Sequence, residues 1–460
     1  MEWPTPGQRP RLGCWLKKPR MKPTLKTIAK AALFLLLVFL FHSGFSRNFL
    51  RLTTGIVAFA DFEKGGETTV RLTMARTLRD GPDATGGFLV GANPDGTVAL
   101  DSPPYLSSFG LQGKFFCRAV RWQGGDVERT MEQGRFYLSL FAAAAISLFA
   151  LCVLGEFGWS AMLLFAAGVH LSVWLVFAAR NVYLMYILKL LPIFFVWMLY
   201  PWFLRGARRR FAGLASGVGA LTLLASLCQF DYVSNVVLGV AVAPIYFGIS
   251  RGLPRRAILR QALLLMGAAA AGVALAILAN VVQLTRWLGS LPEAAGYMRH
   301  IVAARSYADI DPARSALGQS LLWVWEGYLP IPALALPFGQ PDDFHIYLSF
   351  FAFVSAWPFL AALAFLDGRR FPAFEAARPK LAGLAAATGW GLLAAISWGF
   401  LMKGHMVHHF HINGMMFSIP FLLLLFVFAG AVLAAAARQG SAWLFPPQPP
   451  PPPPRNPTPI

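Results

Sequence analysis

Residues 251–282 read RGLPRRAILRQALLLMGAAAAGVALAILANVV, and this stretch decides the class of fold. Arg251, Arg255 and Arg256 stand just before a mainly apolar run at 258–282. An α-helix needs about 20 such residues to cross the hydrocarbon core of a bilayer, and Lys and Arg collect in loops on the cytoplasmic side. The pattern therefore predicts a transmembrane helix that begins inside the cell.

Nine other apolar segments share this character, which predicts an all-α polytopic membrane protein with about ten transmembrane helices. Charged residues make up 13% of the chain, whereas soluble domains carry about 25%. So few charges could not cover a water-exposed surface, and a soluble globular protein is excluded. The ten predicted spans are 26–44, 136–155, 159–179, 183–204, 211–230, 234–250, 258–282, 344–366, 381–402 and 413–437.

Basic loops give the predicted orientation. Counting from an inside N-terminus, the inside loop at 156–158 is too short to be informative, and the three longer inside loops are each rich in arginine, as the positive-inside rule requires: 205–210, 251–257 and 367–380. We therefore expect both termini in the cytoplasm, with a basic segment at 1–25, a transmembrane domain at 26–437 and a disordered Pro-rich tail at 438–460. These loops explain the net charge of +19 without nucleic acid as a partner.

The tail reads PPQPPPPPPRNPTPI from Pro446 to the last residue. Such a run forms a solvated polyproline II helix and cannot pack into a core. It is either a plain unstructured tail or a ligand for a cytoplasmic partner.

Two long segments fall on the exterior side, at 45–135 and 283–343, and most acidic residues lie in them. The polar chemistry is therefore expected on the exterior face. In the second segment, residues 291–309 read LPEAAGYMRHIVAARSYAD and predict a surface helix.

In the first exterior segment, the apolar spacing over residues 67–78 predicts an amphipathic helix at the membrane surface. Glu67 would then open this helix, where the helix dipole favours a carboxylate. Asp61 and Glu63 precede it closely. Glu67 is thus either only a helix-start residue or part of an acidic group that supplies a general base near a water-poor boundary.

Two elements of this segment carry a resemblance to a known family. Residues 67–81, ETTVRLTMARTLRDG, place an acid before an amphipathic helix with a basic, small-residue ending, and Pro103, Pro104 and Tyr105 follow before the next membrane helix. The pattern resembles that of the GT-C membrane glycosyltransferases, which use polyprenyl-phosphate-linked sugars. The resemblance implies sugar transfer from such a donor on the exterior face of a bacterial inner membrane, with Tyr105 near substrate, and it allows a divalent cation.

The acidic motif departs from the pattern of that family. Many members carry two adjacent acids or His-Asp at the start of the helix, whereas this chain has Glu67-Thr68 with Asp61 and Glu63 upstream. Three readings stay open: Glu67 is the catalytic acid, Asp61 has that role through a longer loop, or the activity is lost.

Four other polar positions near the predicted membrane surface are candidates for substrate binding. Asp231 is either a turn residue between two spans or lines the same outer cavity as the acids. Arg180 and Lys189 either snorkel to the interface or bind a lipid phosphate. Glu326 lies among the aromatics of WVWEGYLPIP, which form an interfacial belt or stack on sugar rings.

A histidine-rich stretch, KGHMVHHFHIN at 403–413, is the densest chemical signal late in the chain. His405 and His408 can share a helix face. They either contact substrate phosphate or sugar, hold a metal ion, or pack at the interface. Two alternatives to the glycosyltransferase reading remain: a lipid-linked glycan enzyme of the O-antigen ligase type, which would rely on the second exterior segment, and a non-enzymatic transporter or flippase.

Overall fold

A computed structural model describes residues 23–46, 59–93, 97–204, 208–306, 326–327, 329–337, 345–403, 406 and 410–444. Its helices and strands, in chain order, are α1 (Pro23–Ser46), α2 (Phe59–Asp80), β1 (Leu89–Val90), β2 (Pro104–Tyr105), α3 (Leu111–Trp122), α4 (Val127–Phe157), α5 (Trp159–Leu171), α6 (Val173–Ala178), α7 (Tyr186–Phe203), α8 (Arg208–Cys228), α9 (Val233–Gly239), α10 (Val242–Ser250), α11 (Arg255–Leu288), α12 (Leu291–Ser306), β3 (Pro332–Pro337), β4 (His345–Ser349), α13 (Phe350–Leu363), α14 (Pro372–Leu401), a 3-10 helix (Phe410–Ser418) and α15 (Phe421–Leu444).

The protein is a predominantly helical polytopic membrane protein. Within the described ranges, eight helical segments are long and apolar enough to cross a bilayer. They are Thr27–Ser46, Val127–Phe157, Tyr186–Phe203, Phe211–Cys228, Val233–Ser250, Arg255–Leu288, Pro372–Leu401 and Phe421–Ser441. Each of them overlaps one of the ten predicted spans.

The two remaining predicted spans, 159–179 and 344–366, correspond to shorter apolar helices, α5 and α13. The first is broken at Ser172, whose side chain accepts a hydrogen bond from the Leu175 N–H at the start of α6 and whose backbone pairs with Leu334 of β3. The second starts as strand β4, which pairs antiparallel with β3 before α13 begins. Apolar composition alone does not distinguish a strand that leads into a helix from a continuous span.

The first exterior segment differs from its prediction in its boundaries. Helix α2 starts at Phe59, eight residues before the predicted start, so Glu67 lies inside the helix and is not its first residue. Close packing explains why residue 66 is a glycine, because a Cβ there would lie 2.4 Å from Cδ1 of Tyr183. The glycine costs helix stability but lets α2 approach the loop that precedes α7.

A small satellite core holds α2, α3 and the start of α4 together. Val70 and Met74 of α2 pack against Phe116 and Val120 of α3 and against Met131 of α4, and all five are buried. The β1–β2 pair lies beside α2, with Leu89 opposite Tyr105. This arrangement brings the 103–108 loop back toward the ends of the membrane helices.

The segment predicted to be the second exterior one starts later than predicted. Helix α11 continues to Leu288, and α12 follows at Leu291–Ser306, which confirms the predicted helix in this region. Ala294 of α12 and Leu284 of α11 are buried together with Phe88, which follows the glycine-rich turn after α2. The two exterior segments are therefore in contact.

Candidate functional site

Three side chains from distant parts of the chain meet at the ends of the membrane helices. Lys189 lies one turn inside α7, and its Nζ donates a 2.5 Å hydrogen bond to the backbone carbonyl of Asp231 in the turn between α8 and α9. The carboxylate Oδ1 of Asp231 lies 3.6 Å from Nη1 of Arg305, near the end of α12. Lys189 and Asp231 are both buried, and the Arg305 side chain is 16% exposed.

The loop after β2 holds Arg305 in place. Nη2 of Arg305 donates to the Tyr105 hydroxyl at 2.6 Å and to the Ser107 hydroxyl at 3.1 Å. Burial opposes the charge of Arg305, but Tyr105, Asp231 and Tyr183 more than compensate, so the pKa of Arg305 is raised. The guanidinium therefore stays protonated at every physiological pH.

Tyr183, in the loop between α6 and α7, completes this cluster. Burial raises the pKa of Tyr183 well above its usual value, and Tyr105 and Asp231 raise it further. The phenol is therefore neutral and able to donate a hydrogen bond. We call Lys189, Asp231, Arg305, Tyr105 and Tyr183 the buried cluster.

The charges of the buried cluster do not balance within the described part of the chain. Lys189 and Arg305 are two cations; Lys189 donates to the backbone carbonyl of Asp231, and the carboxylate of Asp231 faces Arg305. Burying a charge is costly unless an opposite charge or several hydrogen bonds compensate it. The cluster therefore has the electrostatics of a site for an anion such as a phosphate.

Glu67 lies on the other side of the loop that carries Tyr183, and it is 1% exposed. Its Oε2 accepts hydrogen bonds from Nε and Nη2 of Arg135 at 3.0 and 2.6 Å, and its Oε1 accepts from the Val182 N–H at 2.8 Å. Both carboxylate oxygens are engaged, so proton abstraction by Glu67 would require this network to break. The geometry gives Glu67 a positioning role, because it fixes the backbone next to Tyr183.

The other predicted site residues have different surroundings. Asp61 and Glu63 lie in the first turns of α2, and their side chains lie outside the described residues, as do His405 and His408. Nη1 of Arg180 donates to the carbonyl of Ser46 at the end of α1 at 2.9 Å, where a cation is favoured by the helix dipole. Glu326 is exposed, in a short stretch of described chain.

The structure thus brings together three of the predicted substrate-binding residues, Lys189, Asp231 and Tyr105. Sequence reasoning missed Arg305 and Tyr183. Arg305 is one of several basic residues on its helix, and only the contact between the two exterior segments distinguishes it from Arg299. Tyr183 reads as an ordinary interfacial tyrosine, so no sequence signal could have singled it out.

Lys114 of α3 lies next to this region but outside the buried cluster. Its Nζ donates to Oε1 of Gln283 at 2.7 Å and lies 3.2 Å from the centre of the Phe109 ring. Burial lowers the pKa of Lys114 to about 8, against about 10.4 for a free lysine. The folded protein therefore binds this proton less tightly than the unfolded chain does.

This difference predicts that the protein becomes more stable as the pH rises from about 8 to about 10.4, because the unfolded chain holds more protons over that range. Below about pH 8, Lys114 is protonated in both states and contributes no slope. Lys114→Met should remove this part of the pH dependence. Melting temperatures in detergent between pH 7.5 and 10 measure this pH dependence, and Lys30→Met, which removes an exposed lysine, is the control. If the melting temperature of Lys114→Met rises with pH as steeply as that of the unaltered protein, Lys114 is not the source of the pH dependence.

Within the described residues, no group of three or more His, Cys, Asp or Glu side chains is arranged to hold a metal ion. Comparison of the chain with protein-family models, with curated proteins and with solved structures finds no significant match in any of the three. The resemblance to GT-C glycosyltransferases therefore rests on the motifs at 67–81 and 103–105 alone.

Proposed function

We propose that this protein is a membrane glycosyltransferase that moves a sugar from a polyprenyl-phosphate donor to an acceptor hydroxyl on the exterior face of a bacterial inner membrane. The observation that carries the proposal is the buried cluster, in which Lys189 of α7, Asp231 of the turn between α8 and α9, and Arg305 near the end of α12 meet beside Tyr105. The resemblance at residues 67–81 and 103–105 supplies the substrate class.

The two cations of the buried cluster suit the leaving group of this reaction. As the bond between the anomeric carbon and the phosphate oxygen breaks, negative charge builds up on the polyprenyl phosphate. Fixed positive groups in a site that excludes water stabilise such charge more than water does. Lys189 and Arg305 would contact the phosphate, and Tyr105 and Ser107 orient Arg305 for that contact.

The other half of the reaction needs a carboxylate. The acceptor oxygen forms the new bond to the anomeric carbon and loses its proton to a general base. Because both oxygens of Glu67 are engaged, we propose Asp61, Glu63 or Asp231 as this base and Glu67 as a positioning residue. A divalent cation is compatible with the family resemblance, and no step here requires one.

Release of polyprenyl phosphate tests the proposal without knowledge of the acceptor. Purified protein in liposomes is incubated with a panel of polyprenyl-phosphate-linked hexoses and pentoses and a membrane extract as the acceptor source. We expect release from at least one donor. Lys189→Met and Arg305→Gln should each slow it about 10- to 100-fold, since a hydrogen bond to a charged group is worth about 1.5–3 kcal/mol.

Arg256→Gln serves as the matched control, because Arg256 is an exposed arginine at the start of α11. It should release polyprenyl phosphate at the unaltered rate. Asp61→Asn, Glu63→Gln and Asp231→Asn then identify the base, since only its loss should abolish the acid limb of the pH–rate profile. No release from any donor, or equal rates in Lys189→Met, Arg305→Gln and the unaltered protein, would overturn the proposal.

One observation favours a second candidate, an O-antigen ligase type of enzyme. Arg305 belongs to the second exterior segment, on which that alternative relies, and it is part of the buried cluster. Such an enzyme would release polyprenyl diphosphate from a diphosphate-linked glycan. Including a diphosphate-linked donor in the same panel distinguishes the two enzyme classes, because the proposed glycosyltransferase releases polyprenyl phosphate and the ligase releases polyprenyl diphosphate.

A further inference from the structure

A groove runs between α3 and the N-terminal half of α4. Its volume is about 1010 Å³. Five of its fourteen lining residues are aromatic, and one of them, Trp122, is 94% exposed. An exposed tryptophan beside other exposed aromatics is typical of a surface that contacts lipid at the membrane interface. The aromatic lining consists of Phe115, Phe116, Trp122, Tyr137 and Phe141.

Arg118 and Arg121 form the boundary of this groove. Both also line a second, polar cavity of about 320 Å³ between α2, α3 and the turn after α2. Three threonines and Lys114 line that cavity, with Asp83 as its acid. Three cations, Lys114, Arg118 and Arg121, thus stand against one carboxylate, between an apolar groove and a polar cavity.

The order of groove, arginines and cavity matches the order of acyl chain, phosphate and headgroup in a phospholipid. An acyl chain fits the aromatic groove, a phosphate fits the two arginines, and a polar headgroup fits the cavity beside Lys114 and Thr85. Guanidinium groups bind phosphate oxygens through charge-assisted hydrogen bonds. The excess of positive charge favours a headgroup with a net negative charge over a zwitterionic one.

We propose that the groove between α3 and α4 binds one anionic phospholipid of the phosphatidylglycerol kind, with its phosphate at Arg118 and Arg121. None of the five residues of the buried cluster lines the groove or the cavity, so the proposal does not rest on the proposed glycosyltransferase activity. A lipid bound there would brace α3 against α4 at the membrane surface.

Lipid retention by the full-length purified protein tests the proposal. Native mass spectrometry compares phosphatidylglycerol with phosphatidylcholine of identical chains, added to the protein in non-ionic detergent. We expect the unaltered protein to retain one phosphatidylglycerol with roughly tenfold preference, because charge-assisted contacts to phosphate are strong but the exposure of both arginines to solvent weakens them. The Arg118→Gln/Arg121→Gln protein should lose the preference.

The control is Arg255→Gln/Arg256→Gln, which removes two exposed arginines from the first turn of α11. That turn lies about 45 Å from the other end of this 34-residue helix, at a rise of about 1.5 Å per residue, where Trp287 contacts Phe88. The control should keep the preference, and excess inorganic phosphate should not displace the lipid. Equal retention of the two lipids, a preference that survives loss of Arg118 and Arg121, or displacement by inorganic phosphate or by equimolar polyprenyl phosphate would each overturn the proposal.

Discussion

Replacing Arg135 with methionine is expected to lower the free energy of unfolding by about 3–5 kcal/mol, the usual cost of breaking a buried ion pair. Glu67 is 1% exposed and accepts two hydrogen bonds from the Arg135 guanidinium. Without that partner, the carboxylate stays buried with its charge poorly compensated. Thermal unfolding and SDS titration of the purified protein in detergent measure the loss.

A double substitution distinguishes the ion pair from the space it fills. Glu67→Met/Arg135→Met removes both charges and should recover most of the lost stability, because replacing a buried pair with apolar side chains is often neutral. Glu128→Gln is the control, since it removes a pair with Arg71 in which both side chains are well exposed, and such pairs contribute about 0–1 kcal/mol. An Arg135→Met protein that unfolds within about 1 kcal/mol of the original would contradict the buried-pair assignment.

The same double variant also tests whether Glu67 is the general base. A folded Glu67→Met/Arg135→Met protein that still releases polyprenyl phosphate excludes Glu67 as the general base and agrees with its positioning role. A folded but inactive double variant whose activity returns in Glu67→Gln/Arg135→Met leaves the positioning role in place, because a glutamine amide can still accept from the Val182 N–H but cannot act as a base.

The second large effect is expected at Gly272, where α11 crosses α8. A Cβ at this position would lie 2.4 Å from the backbone carbonyl oxygen of Gly219 and 2.9 Å from the backbone nitrogen of Leu223. Backbone atoms cannot rotate away as a side chain can, so α8 and α11 would have to separate. Gly272→Val should therefore reach the upper end of the 1–3 kcal/mol range for overpacking, about 3 kcal/mol.

Gly267 on the same helix gives a matched control, because a Cβ there meets no other atom within 4 Å. Gly267→Val changes helix propensity and hydropathy in the same way as Gly272→Val but leaves the contact with α8 intact. We expect its melting temperature to stay close to that of the original protein. If the two valine variants melt together, close packing at Gly272 does not stabilise the helix pair.

The residues of α11 also show which features of a membrane protein can be predicted from its sequence. Its apolar length predicts the span, because crossing hydrocarbon with satisfied backbone hydrogen bonds leaves a helix as the solution. Gly272 and Gly267 look alike in the sequence, since both lie among alanines and leucines. Only the position of α8 requires a glycine at 272 and not at 267. Hydropathy cannot reveal this difference, because lipid tails and neighbouring helices are equally apolar.

For the acidic residues too, the sequence predicts the region and only the tertiary structure shows the contacts of each side chain. The positions of acids in the sequence indicate where polar chemistry concentrates, but they cannot distinguish Glu67, which is held by Arg135, from Asp231, whose carboxylate faces Arg305. Glu67 looked like the first residue of a helix because Gly65-Gly66 precedes it, and the helix in fact continues through the glycines to approach Tyr183. The sequence could not reveal that approach, since Gly66 and Tyr183 are 117 residues apart.

The sequence by itself determined the membrane class, eight of the candidate spans and the presence of a helix in each segment that was predicted to be exterior, because hydropathy and periodicity act over neighbouring residues. Only the tertiary structure decided that Lys189, Asp231 and Arg305 meet, that Glu67 is held by Arg135, and that two apolar stretches are too interrupted for one long helix. Those facts depend on contacts between residues far apart in the chain, and such contacts are fixed by the packing of whole helices rather than by any local pattern.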